Sequence, residues 1–152
     1  VDLVLWRHAE PTDGARDEER ILTEHGREQA HRVGTWLRQR LPEGFEVVTS
    51  PLARARQTAS HLSDKAKVEP RVGSGVTAES LLDAVFWPHG DGCVVVVAHQ
   101  PTLGQTAALL LTGRERGITV RKGAAWWFRS SGSGSLSGAK LLAVIDPDHL
   151  FC

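Results

Sequence analysis

The alternation of strand-like and helix-like segments along the 152 residues predicts an α/β protein. The expected form is a three-layer α/β/α sandwich around a mostly parallel sheet. Three observations carry this. The valine run Gly92–Ala98 (GCVVVVA) reads as a strand covered on both faces. Apolar residues at helical spacing fill the segments between strand-like runs. Two of those runs lead directly into helix starts marked by Ser50-Pro51 and by Pro101.

Taken in order, Val1–Trp6 (VDLVLW) is a short buried strand, and Arg7–Arg20, holding Pro11 and Gly14, is a loop. Across Thr23–Leu41 the apolar residues Ala30, Val33, Leu37 and Leu41 recur at helical spacing, and Pro42 stops the pattern. Glu46–Thr49 is a second strand. Ser50 then serves as the expected cap of a helix with Pro51 in its first turn and a stripe of Leu52, Ala55, Ala59 and Leu62. Lys67–Glu69 is a short strand and Ala78–Phe86 a short helix. After the valine strand a helix runs from Pro101 to about Leu111, with Gly113 ending it. Gly123–Arg129 and Lys140–Ile145 flank the Ser/Gly-rich turn Ser130–Gly138 and form a closing hairpin.

The length fits one domain covering residues 1–152, and the 41% hydrophobic fraction excludes whole-chain disorder. Eighteen basic residues balance eighteen acidic ones, which argues against a nucleic-acid binder. Fourteen of the basic residues are Arg. The guanidinium fork suits phosphate and carboxylate, so the bias directs attention to an anion site, although base composition alone can favour Arg. Cys93 and Cys152 form no disulfide framework and are expected to be reduced thiols of a cytoplasmic protein. No apolar stretch approaches the roughly 20 residues a membrane helix needs.

In open α/β sheets ligands bind beyond the carboxyl ends of the strands. The first strand ends in Arg7-His8, the second in Ser50-Pro51 with Arg54 one turn later, and the valine strand in His99. One sheet edge thus receives two His and two Arg beside two helix starts, where free N–H groups and the helix dipole favour anions. Each feature alone is weak; together they describe a phosphate site with a histidine able to act as nucleophile.

These residues resemble the histidine phosphatase superfamily, the phosphoglycerate-mutase-like fold. Leu5-Trp6-Arg7-His8-Ala9-Glu10 is similar to its RHG/RHA signature, and Leu22-Thr23-Glu24-His25-Gly26 to its LTxxG element. Residues 50–59 (SPLARARQTA) match its SPLxRAxQTA element, and Ala98-His99-Gln100-Pro101 its second-histidine segment. The short length and the Arg20–Gly26 segment resemble the SixA branch of small bacterial phosphohistidine phosphatases. The resemblance implies that His8 is the nucleophile and forms a phosphohistidine. It also implies that Arg7, Arg20, Arg54, His99 and Gln100 hold the phosphoryl group, with no metal or cofactor. Arg56, two residues from Arg54 on a helix, points elsewhere and is a surface residue.

Many relatives use a carboxylate proton donor between the SPLxR helix and the second histidine. Here that interval offers Glu79 and Asp83; Glu79 serves equally well as a solvated first-turn residue. Glu10, Asp13 and Asp17 are further candidates. An alkoxide leaving group needs a proton, since its conjugate acid has a pKa near that of water, about 15.7. Imidazole leaves as a stable neutral ring whose conjugate acid has a pKa of roughly 6.5. The expected substrate is therefore a protein phosphohistidine, presented to a shallow site that the loop Pro11–Glu19 could still cover. The alternatives are a small-molecule phosphatase or mutase of the same fold, and a non-catalytic phosphoprotein-binding module. Neither nucleic acid nor membrane is an expected partner. His25, His31 and His61 are expected on exposed helix faces, His89-Gly90-Asp91 in a turn without metal-ligand spacing, and Arg114–Lys122 in a solvated basic loop.

Overall fold

The computed structural model describes residues 1–14 and 16–150. Its strands are β1 (Asp2–Arg7), β2 (Glu46–Thr49), β3 (Lys67–Val68), β4 (Cys93–Ala98), β5 (Ala125–Arg129) and β6 (Lys140–Ile145). The helices are α1 (Glu24–Arg40), α2 (Ala53–Ser60), α3 (Ala78–Ala84) and α4 (Thr102–Thr112). The strands form one sheet in the order β3-β2-β4-β1-β5-β6. β1 to β4 pair in parallel, whereas β5 runs antiparallel to β1, and β6 to β5. This is the α/β sandwich the valine strand and its flanking helices predict.

Alternation along the strands assigns the two faces. Leu3, Leu5, Val96 and Ala98 pack with Leu81, Leu82, Leu103 and Leu110 of α3 and α4. Val4, Trp6, Val95 and Val97 pack on the other side with Val33 and Leu37 of α1 and Ala55 and Ala59 of α2. Each fully buried side chain of this size contributes about 1.5–3 kcal/mol of transfer free energy, so sheet register and helix placement are strongly coupled. Two glycines permit close approach near the strand ends. A Cβ on Gly26 would collide with the Glu10 carbonyl, and one on Gly104 with the Ile118 carbonyl. The loops after β1 and α4 are thereby drawn onto α1 and α4.

Several boundaries differ from expectation. Ser50 does not cap α2; the helix starts at Ala53 with Leu52 as its cap residue. The Ser50 hydroxyl instead accepts from Leu52 N–H, closing a local turn, and meets His99. α3 stops at Ala84 because Phe86 adopts a positive φ of 58° and the Trp87 N–H returns to the Leu82 carbonyl. α4 does end where Gly113 takes φ 80°. His61 is half-buried at the end of α2, its ring edge-on to His31 at 6.4 Å. Cys93 is buried, and burial pushes its thiol up to about 12; Cys152 lies outside the described residues. No helix among the described residues is long and apolar enough to cross a membrane.

Candidate active site

The parallel register of β1 and β4 aligns Arg7 with Ala98, so His8 and His99 emerge side by side at the carboxyl edge. Their ring centroids are 5.1 Å apart. Ser50 follows β2 at the same edge, its N–H bonded to the Val97 carbonyl. In the first turn of α2, Arg54 donates from Nε to His8 Nε2 at 3.4 Å. Arg7, His8, Arg54 and His99 are thus brought together, and all but Arg7 are buried.

The orientation of His8 follows from its partner. Its Nδ1 lies 2.9 Å from the Ala9 carbonyl, which can only accept, so Nδ1 carries the hydrogen and Nε2 presents a lone pair. Thr58 anchors the same residue through its N–H. Its hydroxyl accepts from Ala9 N–H at 3.0 Å and donates to the Arg54 carbonyl at 2.8 Å. This fully buried residue joins the loop after His8 to the helix of Arg54. Thr58→Val keeps the shape and leaves the Ala9 N–H without its partner. The variant is expected to lose about 1–3 kcal/mol of stability in denaturant unfolding, whereas an unchanged midpoint would mean that the relay carries no weight.

Burial drives the His8 pKa down to about 3, with the neighbouring His99, Arg54 and Arg7 adding to the effect. His99 is lowered to about 4, again by burial first and Arg54 second. Both rings are neutral in the folded resting chain near neutrality. Unfolded, each would take a proton near 6.5. Below that value the unfolded chain binds more protons, so these two groups contribute full stability above about pH 6.5 and lose it as the pH falls toward 4 and then 3. The melting temperature is expected to drop on that acid limb, and less steeply in His99→Gln. Equal slopes in the two proteins would contradict this linkage.

Two buried polar atoms, Arg7 Nε and His99 Nδ1, have no hydrogen-bond partner among the described residues. Such groups are costly unless something satisfies them. Both belong to side chains grouped around His8. The other end of Arg7 is fixed, with Nη1 donating to the Val120 carbonyl at 3.0 Å. The Arg114–Lys122 segment is therefore more than a solvated loop: Val120 is fully buried, and Arg121 pairs with Asp146 and Asp148.

The loop after β1 does fold over the site. Arg54 donates to the Asp17 carbonyl at 2.7 Å and meets the Asp17 carboxylate at 3.4 Å. Arg54 holds the Asp17 carboxyl below its usual range, which makes it a poor proton donor. Arg20 supports this loop, donating to the Thr12 carbonyl at 2.6 Å and pairing with Asp17 and Asp13. It meets the cluster through Asp17 and not through His8. Gln100 is committed elsewhere at both ends, accepting from Gly104 N–H at 2.8 Å and donating to the Ile118 carbonyl at 2.9 Å. Through these two bonds its side chain organises the start of α4. Glu79 is exposed in the first turn of α3, as is Asp83 further along that helix. Glu10 accepts from the Thr23 hydroxyl at 2.9 Å. With Arg7, His25, Gln29 and Asp148 it lines an open polar pocket of about 350 Å³. Arg56 is exposed and bonds the Pro51 carbonyl. Among the described residues no group of three or more His, Cys, Asp or Glu is placed to hold a metal ion.

Residues 3–77 match the model of the histidine phosphatase superfamily (branch 1). An uncharacterized protein of Picosynechococcus sp. is 35% identical over 125 residues, covering 75% of each chain. The fold superposes on the protein histidine phosphatase SixA complexed with tungstate with a TM-score of 0.83 at 23% identity, over 97% of this chain and 98% of that one. The structure of a protein described as the putative phosphohistidine phosphatase SixA from Nakamurella multipartitia gives a TM-score of 0.78 at 28% identity, over 96% of this chain and 95% of that one. A phosphoserine phosphatase mutant from Entamoeba histolytica in complex with phosphoserine gives 0.71 at 17% identity, over 99% of each chain. The fold and the matched motifs define a phosphatase, and the chain belongs to the histidine phosphatase superfamily. Within that superfamily it is SixA-like.

Proposed function

We propose that the chain is a single-domain, metal-independent phosphatase that removes the phosphoryl group from a protein phosphohistidine. In this reading His8 Nε2 attacks phosphorus, the bond from phosphorus to the substrate's ring nitrogen breaks, and the substrate imidazole departs with a proton from solvent. Water then attacks the phosphorus on His8, inorganic phosphate leaves and His8 returns to its neutral form. Arg7, Arg54 and His99 hold the phosphoryl oxygens, on which charge develops during transfer. Arg20 acts through the Asp17 loop.

The observation that carries the substrate choice is Asp17. Among the described residues it is the carboxylate that contacts the cluster, and an exposed aspartate, whether paired with Arg54 or released from it, is ionised near neutrality. A site whose nearest carboxylate is an acceptor suits a leaving group that needs no strong general acid. The 28% identical Nakamurella structure supports the same reading. Small-ester phosphatases share the fold, as the phosphoserine complex illustrates, so a phosphatase or mutase for small phosphate esters is the second reading. The test is phosphate release from a phosphohistidine-bearing carrier protein, an aryl phosphate and an alkyl phosphate, with chelator present. Phosphohistidine is expected to turn over fastest and the alkyl ester slowest. Efficient alkyl ester turnover would overturn the substrate assignment, and binding of the phosphoprotein without turnover would leave a binding module.

A further inference from the structure

The two histidines of the site have different kinds of partner. His8 Nδ1 faces a backbone carbonyl, which only accepts. His99 Nε2 lies 2.7 Å from the Ser50 hydroxyl, which can donate or accept. Ser50 is fully buried, and its oxygen already accepts from Leu52 N–H at 3.2 Å. Among the described residues the hydroxyl proton has no acceptor other than His99 Nε2. A buried hydroxyl donor left unmade is costly, so the proton goes to that nitrogen whenever the ring is neutral. The hydrogen on neutral His99 must then sit on Nδ1, the buried ring atom with no protein partner.

We infer that Ser50 is a positioning residue that fixes His99 in its Nδ1–H tautomer, so that His99 presents a hydrogen-bond donor while His8 presents a lone pair. The inference rests on the proposed roles of the two rings in phosphoryl transfer. A rigid carbonyl gives the nucleophile its free Nε2, and a hydroxyl gives its neighbour the opposite presentation. The hydroxyl has a further use. When a bound phosphoryl dianion favours the protonated ring, Nε2–H donates to the Ser50 oxygen, the hydroxyl proton gives up its one acceptor among the described residues, and Nδ1–H stays where it was. The donor toward the phosphoryl oxygen is thus kept in both charge states of His99. A carbonyl at the same place would oppose neutral His99 in this tautomer, and an apolar residue would leave the choice to the ring, whose intrinsic preference is Nε2–H.

The direct test is imidazole nitrogen NMR of the resting protein near neutral pH, which reports the tautomer without reference to activity. Wild type is expected to carry the His99 hydrogen on Nδ1, and Ser50→Ala to move it largely to Nε2. In parallel, Ser50→Ala is expected to lower kcat by about tenfold or more with KM little changed, and Ser50→Thr to recover most of the loss. A wild-type hydrogen on Nε2 overturns the inference even if Ser50→Ala does not fold. An unchanged tautomer in folded Ser50→Ala does the same. If wild type shows Nδ1–H yet hydrolyses no phosphohistidine, the assignment of Ser50 stands and the functional reading falls.

Discussion

His8→Ala is expected to lower phosphohistidine turnover by more than about 10³-fold while leaving the chain folded. The ring contributes the lone pair at Nε2, held toward Arg54 by the bond from Nδ1 to the Ala9 carbonyl. Its neighbours cannot substitute. His99 Nε2 is engaged by Ser50, and Arg7 and Arg54 are cations with no lone pair to offer. At neutral pH the variant leaves the buried Ala9 carbonyl without its ring partner, at a cost of about 1–3 kcal/mol that a domain of this size can bear. The bond from Ala9 N–H to Thr58 persists, and below about pH 6.5 the variant escapes the cost of keeping His8 unprotonated. The check is a single-turnover assay with labelled phosphohistidine protein. Wild type should pass through a protein-bound, acid-labile phosphoryl group that His8→Ala never forms, with the two melting temperatures compared at neutral pH. Retained turnover, or label incorporated without His8, would remove the covalent mechanism.

The cluster was legible because it depends on two regular features. Strand order and parallel register put Arg7-His8 beside His99, and the rule that ligands gather at carboxyl strand ends identifies that edge. Arg54 was legible from its distance past β2, one helical turn after Ser50, and falls in the first turn of α2. What sequence could not reveal lies in contacts made by backbone atoms. The Val120 and Ile118 carbonyls orient Arg7 and Gln100, and a carbonyl leaves no signature in residue identity. Thus Arg114–Lys122 reads as solvated charge, although its buried Val120 forms part of the wall. Gln100 reads as a phosphate ligand by its place after His99, yet the N–H of Gly104 and the Ile118 carbonyl claim both ends of its amide. Ser50 is the informative case. Its preference for helix caps is real, but tertiary contact with His99 outweighs a local cap worth about 1 kcal/mol, and the hydroxyl serves the turn and the ring instead. Thr58 could have been found, since a hydroxyl within a buried helical stripe requires a partner.

Arg54→Ala is expected to reduce turnover by about 10³-fold, the scale of a positioned arginine in phosphoryl transfer. Arg54 faces His8 through Nε and the Asp17 loop through Nη1 and Nη2. It is buried, with a side chain only 7% exposed, whereas the Asp17 side chain is 59% exposed. That asymmetry decides which partner can be exchanged. An exposed carboxylate gains little from its ion pair, because water solvates it nearly as well. A phosphoryl dianion brought to His8 offers the same guanidinium more charge and oxygens that Arg7 and His99 also reach. Asp17 is therefore expected to yield during turnover, with Arg54 passing from a loop contact to the transferring group without leaving its helix. Lysine should restore only a small part of the loss, since one ammonium cannot address His8 and a phosphoryl oxygen through a rigid fork. Asp17→Asn, by contrast, weakens the competitor and should lower the inhibition constant of inorganic phosphate while kcat stays within a few-fold. Competitive inhibition by inorganic phosphate across Arg54→Ala, Arg54→Lys and Asp17→Asn tests all three statements together. Full activity in Arg54→Lys would show that charge alone suffices, and weaker phosphate binding in Asp17→Asn would show that the Asp17 contact assists the anion and does not compete with it.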